Sequence, residues 1–490
     1  VLHLWTRFCS RFLRRSAARP GDDEGFKTWF ASVYPGVFLA KTFEGLSNFK
    51  ADGWPDRLLT SLLDFLHTSL TFGFLWVHIK PHVWHIVKHI FLPLLAFNEE
   101  DFNIFEYEPT VYIANQLDPL ADEINPRTPA LTIIHELIAR RDPDWIQELM
   151  AWINNDLLQP YFAASAPEHR EAIEPTYYAA LDIIGNISNV LKKSEMFASS
   201  IEDMLTTYVV PVIHEGPAYL RAKACWTFSR FVRIEWNDTN SLLYGLEGML
   251  KNMLEAEELP LVAEAAVGIF DIIPMDIARP VLGPNVPVLV DKYLSLIATV
   301  DCDAIVGSLQ YLMRYFPNPV KKSAAALMSN LHQAFFKAFN NSNSITGGDD
   351  TESHNAYMAA AQTIRAIHTL YKTIRKAPKL YAILEPFVVP ILEVSLGKDG
   401  NSYLEDGLAL MTELTYFLPP PFSPAMWGIF ELLSEAYMSY AADYMGNMVP
   451  SFDNYISRDK ETFLAPGSPY LDRICGMASK YFADPKYPEP

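Results

Sequence analysis

Arg221-Ala-Lys-Ala-Cys-Trp226 and Val262-Ala-Glu-Ala-Ala-Val267 lie forty-one positions apart, and their alignment sets Ala222 on Ala263 and Ala224 on Ala265. Both open apolar segments with a helical period. Similar openings occur near Tyr177 and near Asp303-Ala304, so starts fall near 177, 219, 260 and 302. The helical period itself is clear elsewhere. Met426, Phe430, Leu433, Tyr437, Tyr440 and Tyr444 step by four and three, as do Tyr357, Ala360, Ile364, Ile367, Tyr371 and Ile374. Each set lines one face of a helix. No run of alternating apolar and polar residues bounded by hairpin turns interrupts them. The chain reads as all-α.

A period near forty residues is that of HEAT and armadillo repeats. Alanines at one recurring place let neighbouring helices approach closely. A pair of helices with apolar surface on both flanks cannot bury it alone, so pairs stack into a right-handed superhelical solenoid of HEAT-type helical hairpins. A second mark precedes the inner helix of each pair: Phe91-Leu-Pro93, Val209-Val-Pro211, Val286-Pro287, Val388-Val-Pro390 and Val449-Pro450. Proline removes an N–H and bends a helix, which predicts a bend in the first helix of each hairpin. Pro419-Pro-Pro421 reads as a rigid connector between helices.

The expected organisation is a partial repeat and irregular link over 1–50, repeats over 51–340, a mobile polar insertion over 341–353, and further repeats over 354–490. The insertion is read from Asn340-Asn-Ser-Asn-Ser-Ile-Thr-Gly-Gly-Asp-Asp-Thr-Glu-Ser353, and starts near 357 and 404 are spaced more widely because of it. Ser16 to Gly25 reads as a second irregular link. The arginines at 7, 11, 14, 15 and 19 read as a basic helix within a longer protein, in preference to a mitochondrial transit peptide.

The 490 residues carry 39 Lys+Arg against 58 Asp+Glu, a net charge of −19. Such a surface repels phosphates and anionic headgroups and attracts basic proteins. Direct nucleic-acid binding is therefore not expected, nor is membrane insertion: the longest apolar run, Leu70 to Ile79, meets Lys80-Pro81 well short of a span. Four scattered cysteines without a CxxC pair suit a reduced, intracellular chain. No phosphate-binding GxxxxGK[ST], GxSxG elbow, HExxH or dinucleotide glycine set occurs. His135-Glu136 and His214-Glu215 have no nucleophile nearby. No enzyme activity and no cofactor are expected.

Lys80-Pro-His82, Phe91-Leu-Pro-Leu-Leu95, Glu108-Pro-Thr-Val-Tyr-Ile113, Tyr219-Leu-Arg-Ala-Lys-Ala-Cys-Trp226 and Tyr470-Leu-Asp-Arg-Ile474 together resemble the importin-β superfamily of nuclear transport receptors, in particular its importin seven and eight subgroup. The likeness runs from about residue 50 to about 480. It implies a superhelix that holds cargo on its concave side, binds the GTP form of Ran through the intact receptor, and binds Phe-Gly nucleoporins on outer helices. It implies shuttling between cytoplasm and nucleus through the nuclear pore. The family's amino-terminal repeats, which carry the main Ran contact, and its far carboxy-terminal end have no counterpart here. Between about Arg14 and Lys27 a helix of the family pattern is missing. The resemblance is thus to a central portion.

Three constellations are weighed for function. Glu99, Glu100, Asp101, Phe102, Phe105, Glu106, Tyr107 and Glu108 read as an acidic loop interleaved with aromatics. Carboxylates steer a basic ligand and rings add cation–π contact area; the alternative is an exposed turn whose rings tuck back into the helix pair. His78, His82, His85 and His89 share a helical stripe but sit at the polar margin of a face built from Val83, Ile86, Val87, Ile90 and Leu94, so solvated histidines are favoured over a zinc site. Arg221, Lys223 and Trp226 open the repeat helix near 219; Arg221 is expected to brace the neighbouring repeat and Trp226 to be core, in preference to contact with cargo. The expected function is a nuclear import receptor for basic cargo such as ribosomal or histone-like proteins. A generic HEAT scaffold and a histidine-based metalloenzyme are the competing readings.

Overall fold

The computed structural model describes residues 33, 35–47, 55–117, 125–141, 144–231, 234–271, 275–300, 302–344 and 350–483, and every regular element among them is a helix. The expected irregular link at 16–25, the basic opening and the missing helix near 14–27 lie outside the described residues. Two compact units, Val1–Pro274 and Met275–Pro490, divide the chain. Each is a stack of helical hairpins.

In the first unit α1 (Asp56–Leu70) precedes a helical run over 73–95. Two short helices follow, α2 (Glu99–Tyr107) and α3 (Pro109–Leu117), and then α4 (Arg127–Glu136). A run over 145–163 leads to α5 (Pro167–Asn186), and a run over 201–214 leads to α6 (Ala218–Ser229). The unit closes with α7 (Thr239–Glu255) and α8 (Leu259–Asp271). The runs over 145–163 and 201–214 pack on α5 and α6, and α7 on α8, while second helices pack on one another along the stack, α1 on α4, α5 on α6 and α6 on α8. The pair α2–α3 is an insertion between the two helices of one hairpin.

The second unit repeats the plan. It runs through α9 (Val286–Thr299), α10 (Asp303–Tyr315), α11 (Ala324–Ser344) and α12 (Asp350–Ile374). It continues with α13 (Pro378–Ser395), α14 (Leu404–Phe417), α15 (Pro424–Ser439), α16 (Met445–Arg458) and α17 (Tyr470–Ala483). Helices α10, α12, α14 and α16 form one continuous layer, and α9, α11, α13, α15 and α17 the other. The predicted stripes face inward: Met426, Phe430, Leu433 and Tyr437 are buried, as are Ala360, Ile364, Ile367, Tyr371 and Ile374.

The proline mark has a local cause. Pro93, Pro160 and Pro211 each follow a widened turn, at Val87–Phe91, Ile153–Leu158 and Leu205–Val209 respectively. Proline offers no N–H and its ring crowds the carbonyl four residues back; an i→i+5 turn relieves both problems without ending the helix. Pro386 and Pro390 lie within α13. Two marks differ from expectation. Val286-Pro287 opens α9, and Pro450 lies inside α16, a second helix.

Other expectations are corrected as well. The helix placed near 177 begins at Pro167 and runs through Pro175, the one near 357 begins at Asp350, and the stripe ending at Tyr444 belongs to a helix that stops at Ser439. The polar insertion shrinks: α11 continues to Ser344 and α12 starts at Asp350, leaving only 345–349 outside the described residues. Packing of α11 on α12 extends helix into a composition that locally favours a loop.

The recurring alanines Ala222, Ala224, Ala263 and Ala265 are all buried, and a glycine outside that register marks a close approach. A Cβ on Gly185 would lie 2.1 Å from the Trp226 ring, so α5 and α6 approach at the one position where a side chain is absent. Thr227 Oγ1 donates to the Leu181 carbonyl at 3.1 Å beside this contact. The G185A variant should lose about 1–3 kcal/mol in chemical denaturation through overpacking, and adding W226L should return part of the loss. Equal stability of G185A and wild type would contradict the close approach.

Candidate functional site

The segment Glu99–Glu108 was expected as a loop and is instead helical from Glu99 to Tyr107. Its cause is a reciprocal cap. The Asp101 N–H donates to Asn98 Oδ1 at 2.9 Å, and the Asn98 N–H donates to Asp101 Oδ2 at 2.8 Å. Three acids in the first turn complement the helix dipole.

Arg127 locks this helix in place. Its Nη1 and Nη2 donate to Asp101 Oδ1 and Oδ2 at 2.9 and 2.5 Å. Its Nε and Nη2 also satisfy the Leu94 and Ala96 carbonyls, at 2.8 and 3.1 Å, at the end of the preceding run. Burial works against the guanidinium, but the Asp101 carboxylate more than offsets it and holds Arg127 above its ordinary range. One side chain thus ties the end of the 73–95 run to the start of α2.

The eight candidate residues divide by role. Asp101 is occupied by the cap and by Arg127, and Phe105 is 2% exposed, edge-on to Tyr112 at 5.0 Å. Glu99, Glu100, Glu106 and Glu108 are exposed, and so are Phe102 at 44% and Tyr107 at 78%. One ring and one carboxylate fasten the segment, and six residues face outward. Glu99 and Phe102 border an open groove of about 730 Å³ that Phe97, Glu171, Glu174 and Tyr219 also line. Phe97 stacks on Tyr219 at 4.1 Å, and the Tyr219 hydroxyl donates to Glu174 Oε2 at 2.7 Å.

Helix α3 departs from its own hairpin and packs on α8. Tyr112 meets Tyr178 of α5 hydroxyl to hydroxyl at 3.1 Å, and Gln116 Oε1 accepts from Lys223 Nζ of α6 at 3.0 Å. Beneath it runs a feature the sequence reading missed. Asp182, Lys223 and Glu264 occupy the same place in three successive second helices, each forty-one residues from the next, and all three are buried. Lys223 Nζ bonds Asp182 Oδ1 at 2.9 Å and lies over the Tyr178 and Trp226 rings at 4.8 and 4.4 Å. Burial alone would lower the Lys223 pKa; Asp182, then Tyr112 and Glu264, outweigh it and hold the ammonium above its usual range. The forty-one-residue period was the available signal, since the same register already aligns Ala222 with Ala263.

Arg221 braces the neighbouring hairpin as expected, donating to Asn252 Oδ1 on α7, while Asn252 Nδ2 donates to the Ile213 carbonyl at 3.0 Å. Trp226 is half-buried rather than fully core. His78, His82, His85 and His89 are exposed, with His82 stacked on Phe43 at 4.2 Å and the His85 and His89 rings 4.8 Å apart. Among the described residues no group of three or more His, Cys, Asp or Glu is placed to hold a metal ion. Likewise, among them no single helix is long and apolar enough to cross a membrane.

The fold defines the class: an all-α stack of HEAT-type hairpins, structurally similar to importin-β solenoids. A yeast bidirectional nuclear transport receptor, Lph2, superposes with a TM-score of 0.61 at 10% identity over 92% of this chain and 48% of that one. Importin beta crystallised in an ammonium sulfate condition superposes with a TM-score of 0.54 at 12% identity over 94% and 51%. By sequence the chain is similar to importin-7/8-like proteins. It is 27% identical to an importin beta-like SAD2 homolog of Arabidopsis thaliana over 99% of this chain and 46% of the relative. It is 24% identical to a probable importin-7 homolog of Dictyostelium discoideum and 23% identical to human importin-8, covering 88% and 86% of this chain and 39% of each relative. The chain therefore spans less than half the length of these curated relatives. No protein-family profile matches it.

Burial pushes the Glu264 carboxyl up to about 7; Lys223 pulls against this and Asp182 adds to it. The other titratable groups around it are the Tyr112 phenol and the Cys225 thiol. A carboxyl raised from 4.5 on folding contributes its full stability below 4.5, and the contribution is lost as pH rises to about 7. The E264Q variant should therefore gain on wild type between pH 4.5 and 7, by on the order of 3 kcal/mol in all, and hold a constant difference above that. A difference independent of pH in parallel urea titrations would refute the assignment.

Proposed function

We propose that this chain is the central part of a nuclear import receptor, a karyopherin that binds basic cargo proteins of ribosomal or histone-like character. In the intact receptor it would act with Ran-GTP and Phe-Gly nucleoporins, shuttling between cytoplasm and nucleus through the nuclear pore. The importin-7/8-like similarity along nearly the whole chain supports the class. The observation that carries the cargo reading is the outward face of α2. Four carboxylates, Glu99, Glu100, Glu106 and Glu108, stand beside Phe102 and Tyr107 on a rigidly clamped helix, and none of the four forms an ion pair with another described residue.

The chemistry follows from that face and the net charge of −19. Long-range attraction speeds the encounter with a basic protein, and exposed rings supply contact area and cation–π contacts once charges are near. Stacked hairpins offer many such weak contacts over a long surface. None has to be strong by itself.

Binding of a purified core histone to the 490-residue chain, followed across 50–300 mM salt, tests this. Affinity should fall steeply with salt, and neutralising all four acids (E99Q, E100Q, E106Q, E108Q) should weaken binding about tenfold while flattening the salt dependence. Affinity that ignores both salt and the substitutions would favour a generic scaffold.

A further inference from the structure

Helices α5, α6 and α8 already form a continuous layer without α3. They are joined by the Gly185–Trp226 contact, the Thr227 bond to the Leu181 carbonyl and the Lys223–Asp182 pair. Helix α3 lies over this layer as an addition. It is nine residues long, and only Tyr112 and Ile113 are buried, while Val111 is 42% exposed. A helix that short has no stability by itself. Its attachment is made by those two side chains, the half-buried Ala114 and Leu117, packing on α8, the Phe105 edge, and two polar contacts, Tyr112 to Tyr178 and Gln116 to Lys223.

Few buried apolar contacts and a dependence on polar anchors place a segment at the low end of the local stability range. The layer underneath is held by its own interdigitation. From this contrast we infer that α3 is a strap, latched by Tyr112 and Gln116, that opens from α5, α6 and α8 while the stack beneath stays folded. The Arg127–Asp101 clamp on α2 is the fixed end. Opening uncovers Asp182, Lys223 and Glu264, one ionisable side chain from each of three successive repeats.

Native-state hydrogen exchange on the 490-residue chain, read by mass spectrometry, tests the inference. Amides of residues 111–117 should exchange at least tenfold faster than those in the middle of α5, α6 and α8. The paired variant Y112F/Q116A removes the two polar anchors and leaves every bond within the layer, so it should speed exchange of 111–117 a further tenfold and leave α6 and α8 unchanged. Its retained slow exchange in α6 would itself show that it folds. Exchange of α3 in the same step as α6 and α8, or acceleration of all of them together in the variant, would mean that α3 is integral to the core and would overturn the strap.

Discussion

A single buried ammonium, that of Lys223, organises the first unit. It sits between Asp182 of the preceding repeat and the Tyr178 and Trp226 rings, and reaches Gln116 of the inserted helix. An isolated charge in this position would cost several kcal/mol, and only a close carboxylate with additional polar partners offsets that. The constraint acts in both directions. Asp182 and Lys223 set the register of α5 against α6, and the residual acceptor need of the ammonium is met by α3. The extra acid at Glu264 leaves the cluster with more negative than positive groups, and its carboxyl responds by holding its proton to about pH 7.

This arrangement explains how a surface helix rich in carboxylates can be rigid. Helix α2 gains its order from Asn98, Asp101, Arg127 and Phe105, which are drawn from its own cap, the start of α4 and the core. The remaining side chains are then free to face solvent. A carboxylate fixed in space loses less entropy on pairing than one on a mobile loop, so pre-ordering favours recognition. The same economy applies to Arg221 and Asn252, which join successive hairpins and keep the stack in register.

The fold was legible because its signal is repetitive. Ala222 and Ala263 share a register, and the stripe from Ala360 to Ile374 keeps a helical period that burial bears out. What was misread had local composition opposed to its environment. The acid-rich 99–108 segment resembles a solvated loop, although Asn98 and Asp101, three apart, spelled a capping box. The helix placed near Tyr177 begins ten residues earlier, at Pro167, and continues through Pro175 to Tyr177 and Tyr178 in the core. Asp182 and Glu264 were passed over because charged residues on a helix are ordinarily exposed, and only their forty-one-residue spacing from Lys223 marks them as a buried set.

The most direct test of the account is a double-mutant cycle on Asp182 and Lys223, with D182L, K223L and the pair measured by urea unfolding of the 490-residue chain. Each single change should cost about 3–5 kcal/mol because it strands the opposite charge in the interior, and the double change should cost far less than their sum. Additive losses would mean that the two charges do not depend on each other, and the proposed organising role of Lys223 would fail.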